Sequence, residues 1–494
     1  MVSHVARSQG LLAFGHVGRL LMFVVVAGLL GRLLAPVDFA FVSLVSSLYI
    51  VAMAVLDMGS FAVATRQITA QPGTELTSLR SLLALRRWLA LVMLGLLSGL
   101  AMLAPVQSGA QTLVLLAAAG GIFLMHLHGF QLVLQLRQCY GRPMLLGLAA
   151  QLAFLLGSGV ALKMQASGAV IAAMVVLREA VTAVGSRWLA LGLLGVRLRV
   201  SWFDPGMLPL LRRGWMIGVA GLSYKLAVYS GIFGLYQPDS AEALARFSAA
   251  HRLLMPMVDL AWLVAGPLFA SIGLAAAHSA QAFRDQLAGH VTFALGLASL
   301  LAVAAFFIAP WVIRLLYGDV YSTGADSAIM AFRWLAFGGL FAWVTPVLIV
   351  AEITLGHERP LLLLGLSCLL LAVLGNAWAI PRMGAMGASL VLCLCEMFVF
   401  CALLARLMAR REIRLNRSWL LCIAPALALA AGLATQLTHP VGQLVVAFVG
   451  IPAGGWLLSR LPAQRVCRDS IARVMSPWFA PSPSNYSATQ PVSP

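Results

Sequence analysis

Apolar stretches of about 20 residues, the length that carries a helix across the hydrocarbon of a bilayer, follow one another almost from end to end of this chain. Short arginine-bearing links separate them. Lipid cannot satisfy a free backbone N–H or C=O, so each stretch has to close its own hydrogen bonds as a helix. Of 494 residues, 61% are hydrophobic and only 10% charged, and the mean hydropathy is +0.95, too apolar for a set of soluble cores. The fold class is therefore an all-α polytopic membrane protein with about 14 transmembrane helices. The first seven fall near 12–34, 40–62, 83–105, 112–134, 143–163, 168–193 and 208–235. The second seven fall near 253–275, 290–312, 328–351, 361–381, 387–409, 418–437 and 440–459. Twelve is the alternative count, because only Thr438, His439 and Pro440 interrupt the last run. The first run is read as a crossing and not as a cleaved signal, since no small-residue cleavage site precedes Pro36.

The formal net charge is +17, and 31 of the 33 basic residues are arginine, Lys163 and Lys225 being the exceptions. With the amino terminus placed in the cytoplasm, 23 basic residues fall on the inner side, six on the outer side and four within spans. This asymmetry is the positive-inside pattern of an inner-membrane protein with both termini cytoplasmic. It explains the basic excess through topology and anionic lipid, so no nucleic-acid partner is expected. Beyond residue 461 the stretch "PAQRVCRDSIARVMSPWF" has the pattern of an interfacial helix, and a Pro- and Ser-rich end follows it.

No link is long enough to fold alone, and no Gly-rich phosphate loop is present, so neither a cofactor nor an enzymatic activity is expected. No metal is expected either: His126 and His128, like Cys393 and Cys395, are two residues apart, which splits each pair across its helix. Asp239 with Glu242, and Asp319 with Asp326, are read as solvated loop charges. The residues left to carry chemistry are those whose charge enters the membrane, at about 3 kcal/mol each on insertion scales. Spans one and two and their link hold Arg19, Arg32, Asp38 and Asp57; spans seven and eight hold Lys225, Arg252 and Asp259. Arg178 and Glu179 lie in span six, Arg333 and Glu352 in span ten, and Glu396 in span twelve. Arg19, Arg32, Arg252 and Glu352 are near enough to an interface for snorkelling to compete with a cavity role, whereas Lys225, Asp57 and Asp259 favour a cavity.

The links "LLAPVDFAFVSL" and "LYQPDSAEALARFSAAHRLL" both place Pro, Asp and Phe before the next span, six spans apart. An even offset keeps orientation, so two parallel six-helix repeats are predicted, with a shared site between them. The corresponding division is an N-terminal lobe at 1–200, a C-terminal lobe at 201–415, two additional helices at 416–460 and a cytoplasmic tail at 461–494.

Three groups of motifs carry a resemblance. "GRLLAPVDFAFVSLVSSLYIVAMAVLDMGSFAVATRQI" has an arginine, proline and aromatic link, a D-x-G end and a T-R exit. "LLYGDVYSTGADSAIMAFRWLAF" has a G-D-x-Y turn, and "GHERPLLLLG" with "NAWAIPRMGAMGASL" completes the pattern. In this order they resemble the Wzx-like polysaccharide transporters, the O-antigen flippase group, of the multidrug/oligosaccharidyl-lipid/polysaccharide (MOP) exporter superfamily, over about residues 10–415. Ala40 in place of a glycine, and Arg246, Phe247 and Ser248 in place of a small residue with tyrosine, depart from that pattern.

The resemblance implies an alternating bundle whose cavity is lined by spans one, two, seven and eight. It implies a flippase that moves undecaprenyl-pyrophosphate-linked repeat units for O-antigen, capsule or exopolysaccharide assembly. Arg19, Arg32, Lys225 and Arg252 are the expected substrate-binding residues, because arginine holds phosphate oxygens bidentately. Asp57 and Asp259 either couple movement to a proton or sodium gradient or neutralise their basic neighbours. A polysaccharide polymerase and a chain-length regulator are the expected protein partners. The rival readings are a multidrug or cation antiporter of the same superfamily, a membrane polysaccharide polymerase or ligase, and a peptidoglycan-precursor flippase.

Overall fold

The computed structural model describes residue 18 and residues 20–413, except 72, 104–107, 138, 140, 195–200 and 325. Arg19, the spans expected at 418–437 and 440–459, and the tail from 461 lie outside the described residues. Among the described residues every regular element is helical. They are α1 (Leu20–Leu33), α2 (Pro36–Asp57), α3 (Ser60–Ala70), α4 (Glu75–Leu103), α5 (Gly109–Leu124), α6 (Gln131–Leu136), α7 (Gly141–Lys163) and α8 (Gly168–Leu194). After a loop come α9 (Met207–Gly234), α10 (Ala241–His278), α11 (Ala280–Tyr317), α12 (Ala328–Thr354) and α13 (Glu358–Ala409). Nine continuous helical runs among the described residues are long and apolar enough to cross a membrane, α5 to α6 counting as one and α13 as another.

Local chemistry sets the ends. Pro36 opens α2, where its missing N–H costs nothing. Ser108, Ser279 and Ser327 cap α5, α11 and α12 by accepting the backbone N–H of Gln111, Ala282 and Met330. Three features depart from the uniform spans read in the sequence. The second span breaks where Met58 (φ 37°) and Gly59 (φ 70°) enter the left-handed region, which separates α3 from α2. The fourth contains a 3₁₀ segment, Met125–Phe130, between α5 and α6. The eleventh and twelfth are the two legs of the 52-residue α13, bent at Gly384 (φ 51°).

That bend is held from outside. Asp326 accepts the Met386 N–H at 2.8 Å, capping the second leg, and lies 3.9 Å from Arg246. Its side chain is 30% exposed against 89% for Asp319, so only Asp319 is the solvated charge expected of this loop. Burial pushes the Asp326 carboxyl above its ordinary range, against the pull of the Met386 N–H and Arg246. At the opposite end of α13 the buried Glu352 accepts from His357 Nδ1 and Arg406 Nε, both at 2.9 Å, and Arg410 donates to His357 Nε2. Glu352 therefore does not snorkel; it ties α12 to both legs of α13.

Helices α1–α8 and α9–α13 form two groups that meet mainly where α2, α3 and α4 face α9 and α10. One end of the bundle, where α2 and α8 finish, carries most of the arginines. There Gly59 lies against the Gly214 carbonyl and Gly218 lies against Met58, so closely that no side chain would fit at any of the three. Arg66 of α3 pairs with Glu358 of α13 at 3.4 Å across the same junction. At the arginine-poor end Gly28 and Gly31 of α1 seat Leu316 and Tyr317 of α11. The two groups thus touch at both ends of α2.

Gly59→Ala would combine a left-handed backbone with a backbone clash, and is expected to destabilise the fold by about 2–4 kcal/mol. Gly221→Ala, further along α9 and with open space around it, should be neutral or slightly stabilising. Thermal unfolding of the purified variants measures both.

Candidate functional site

Arg252, on α10, is 8% exposed, and its Nη2 is buried without a hydrogen-bond partner. Its Cζ lies 5.0 Å from the centroid of Phe39, which comes from α2 in the other helix group. Tyr317, at the end of α11, and Tyr321, in the following turn, complete the enclosure. Their rings stand 5.7 Å apart and 6.0 and 6.1 Å from Phe39. Both hydroxyls are buried, and neither has a partner. Their fields and that of Tyr229 act on the Arg252 charge. A guanidinium nitrogen and two phenol hydroxyls, all buried without a hydrogen-bond partner, are thus gathered at one place, and each could donate to an anion.

His251 extends the cluster. It packs edge-on to Tyr229 at 5.0 Å and tilted on Phe247 at 5.4 Å, with Nε2 buried and unpartnered. The charges of Arg252 and Lys225 both act on it. Lys225, half-buried on α9, also acts on Glu396 of α13, whose two oxygens accept the Tyr224 hydroxyl at 2.7 and 3.0 Å. Asp259, exposed on α10, acts with Arg252 on Tyr229. From the first group Arg178 reaches Arg252 electrostatically, while it donates to Glu179 and to Gln151 at 3.0 Å.

Of the expected site residues, Lys225 lies on α9 and Arg252 and Asp259 on α10; the charges of Arg252 and Lys225 act on His251, and those of Arg252 and Asp259 on Tyr229. Arg32 is exposed at the same end as Arg252 and donates to the Leu315 carbonyl at 3.2 Å, which fits snorkelling. Arg19 is outside the described residues. Asp57 does not join: it pairs with the buried Arg86 at the arginine-rich end. Eighteen helical residues separate it from Phe39, a distance of about 27 Å. Tyr321 is the tyrosine of the G-D-x-Y motif, but neither it nor Tyr317 nor His251 is marked in the sequence as a binding residue. The two tyrosines bracket the "YGDVY" turn, and His251 directly precedes Arg252.

No family model matches the chain, and no curated protein matches it significantly. Solved structures do. A lipid II flippase MurJ in an inward closed conformation matches with a TM-score of 0.70 at 12% identity, over 93% of this chain and 99% of that one. An inward-facing multidrug resistance MATE family transporter of the MOP superfamily matches with 0.55 at 17% identity, over 88% of this chain and 100% of that one. This chain shares the fold of these structures. A MATE structure in the bent conformation agrees, with 0.56 at 16% identity over 88% and 99% of the two chains. Of these the MurJ structure has the highest score.

A buried cation without a counter-charge opposes folding, so Arg252 is expected to be retained at a stability cost. Arg252→Met should leave the melting temperature unchanged or raised. Tyr317→Phe and Tyr321→Phe should each shift stability by less than about 1 kcal/mol, because no hydrogen bond is lost. A large loss in all three would make the cluster a structural support.

Proposed function

We propose that this chain is a flippase for polyprenyl-diphosphate-linked oligosaccharides, carrying undecaprenyl-pyrophosphate-linked repeat units from the cytoplasmic to the outer leaflet of a bacterial inner membrane. The observation that supports this reading is the cluster of unpartnered donors of Arg252, Tyr317 and Tyr321 where the two helix groups meet. In this reading the arginine-rich end is cytoplasmic, as are both termini, and the cluster lies toward the outer side. Arg252 and the tyrosine hydroxyls donate to the diphosphate. Lys225, deeper on α9, adds positive charge along the path of the headgroup, while the prenyl chain stays in lipid. Asp259 balances the basic set and is the acidic residue best placed for gradient coupling.

Phe39 gives the binding a conformational consequence. Its ring occupies the guanidinium face from the opposite helix group, so a diphosphate that draws Arg252 away also removes a contact holding the outer end shut. Arg19 and Arg32 would act nearer the ends of α1, Arg32 at the headgroup level. A cation antiporter is less well served, because Asp57 is held by Arg86 and Glu396 by Tyr224. The named neighbours divide between a lipid II flippase and multidrug transporters. Lipid II shares the polyprenyl diphosphate, so this site chemistry fits a peptidoglycan precursor as well as an O-antigen, capsule or exopolysaccharide unit.

Depletion of the protein, followed by leaflet-resolved analysis of lipid-linked oligosaccharides, tests the proposal. Complete units accumulating on the cytoplasmic side support it and identify the glycan, and loss of viability would point to a peptidoglycan precursor. Normal translocation with short or unattached polymer outside would favour a polymerase or ligase. Arg252→Gln and Lys225→Gln are each expected to slow flipping by about tenfold or more, the loss of one charge-assisted contact. Wild-type rates in both would remove them from the site.

A further inference from the structure

A second arrangement lies at the arginine-rich end, at the opposite end of the bundle from Arg252. The loop before α9 is fastened to α4. Trp88 donates its indole N–H to the Trp202 carbonyl at 2.8 Å, and Ser81 donates to Asp204, which also accepts the Gly206 N–H at 3.0 Å. Gly206 lies so close to the Ser81 hydroxyl that a side chain there would collide. The fastening holds the Trp202 ring over Arg87, 4.9 Å from Cζ to centroid, with Trp88 edge-on to Trp202 and Phe203 tilted 5.4 Å from Trp88.

Arg187, on α8, brings a second guanidinium. α4 and α8 both border the 3₁₀ segment that carries His126, and the charges of Arg87 and Arg187 act on that histidine and on each other. Two like charges converge beside a fixed ring, while Trp202 (47% exposed), Phe203 (72%) and Trp188 (75%) turn apolar surface outward. A solvated surface has no reason to present three such rings. The headgroup boundary of a bilayer does: indoles prefer it, and its phosphates lie level with arginines at the ends of spans.

We propose that Arg87, Arg187 and Trp202 form a site for one anionic phospholipid of the leaflet at the arginine-rich end. The guanidinium groups take the headgroup phosphate, with Trp202 fixing Arg87 in place, and the acyl chains run along Phe203 and Trp188. A free phosphate would use the charges and leave the exposed rings unexplained, which is why a lipid is the favoured occupant. The inference needs the chain to span a membrane and does not depend on the flippase reading.

The test uses full-length protein, delipidated in neutral detergent and titrated with phosphatidylglycerol or phosphatidylcholine under native mass spectrometry. Wild type is expected to retain one phosphatidylglycerol with an affinity about tenfold or more above phosphatidylcholine, the scale set by two arginines near a phosphate. Arg87→Gln with Arg187→Gln should abolish that preference. Arg359→Gln with Arg411→Gln, which removes equal charge from exposed arginines at the same end, should keep it. If the first double variant is not monodisperse on size exclusion, Trp202→Ala carries the test, with a several-fold weakening expected. Equal binding of the two lipids by wild type, or an undiminished preference in the folded site variants, overturns the proposal. Displacement of the lipid by millimolar inorganic phosphate would make the site one for a free anion and overturn the lipid assignment. None of these readouts involves flipping, so their failure is separable from failure of the transport reading.

Discussion

Burying the Arg252 guanidinium without a carboxylate is the constraint around which the junction of the two helix groups is arranged. The charge is sheltered by a π face and two phenols instead of being neutralised. Such shelter is worth less than an ion pair, and a sequence selected for stability alone would place an aliphatic residue there. Elsewhere the same protein pairs its buried charges with care: Glu352 with His357 and Arg406, Asp57 with Arg86, Arg178 with Glu179. Arg333 also lacks a carboxylate and lies over a ring, Phe306 at 4.7 Å, but Arg252 is the more deeply buried of the two. It sits where two halves of the bundle meet, within the electrostatic reach of Lys225 through His251, and it leaves donors waiting for an acceptor.

Much of this is legible in the sequence because hydrocarbon makes charge conspicuous. Arg252, Lys225 and Asp259 stand out from an apolar background, and the helical class follows from the length of the runs between them. Contact across the bundle cannot be read in the same way. Asp57 has the look of a charge stranded in a span, because nothing local reveals that Arg86, 29 residues on, buries itself to meet it. Asp326 has the look of a solvated charge because its partner, the Met386 N–H, is 60 residues away. Tyr317 and Tyr321 escape notice for a different reason. A tyrosine beside a membrane is amphipathic enough to belong to an interfacial belt, and only the enclosure by Phe39 and Arg252 turns two hydroxyls into unmet donors.

The interruptions in the helices obey the same division. Gly59 is visible in the sequence as the end of a D-x-G motif, but its left-handed backbone and its seat against Gly214 depend on α9 being there. The bend at Gly384 hides inside a run of small residues, and it needs Asp326 from another loop to cap the second leg of α13. The 3₁₀ segment at Met125–Phe130 has no marker in its sequence. It is fixed by His126 bonding back to the Phe123 carbonyl and by Gln131 bonding to His128.

Because α2 is a continuous rod between Phe39 and Asp57, its two ends cannot move independently. One end is lodged among the aromatic rings of the second group, and the other leads directly into the glycine junction with α9. Rotation of the first group about the middle of this rod by about 10° would carry the two ends roughly 2–3 Å in opposite directions, given a span of about 27 Å. The rod is then a see-saw. With the glycines already in backbone contact, the aromatic seat can lift only if Gly59 slides along α9 in the same movement.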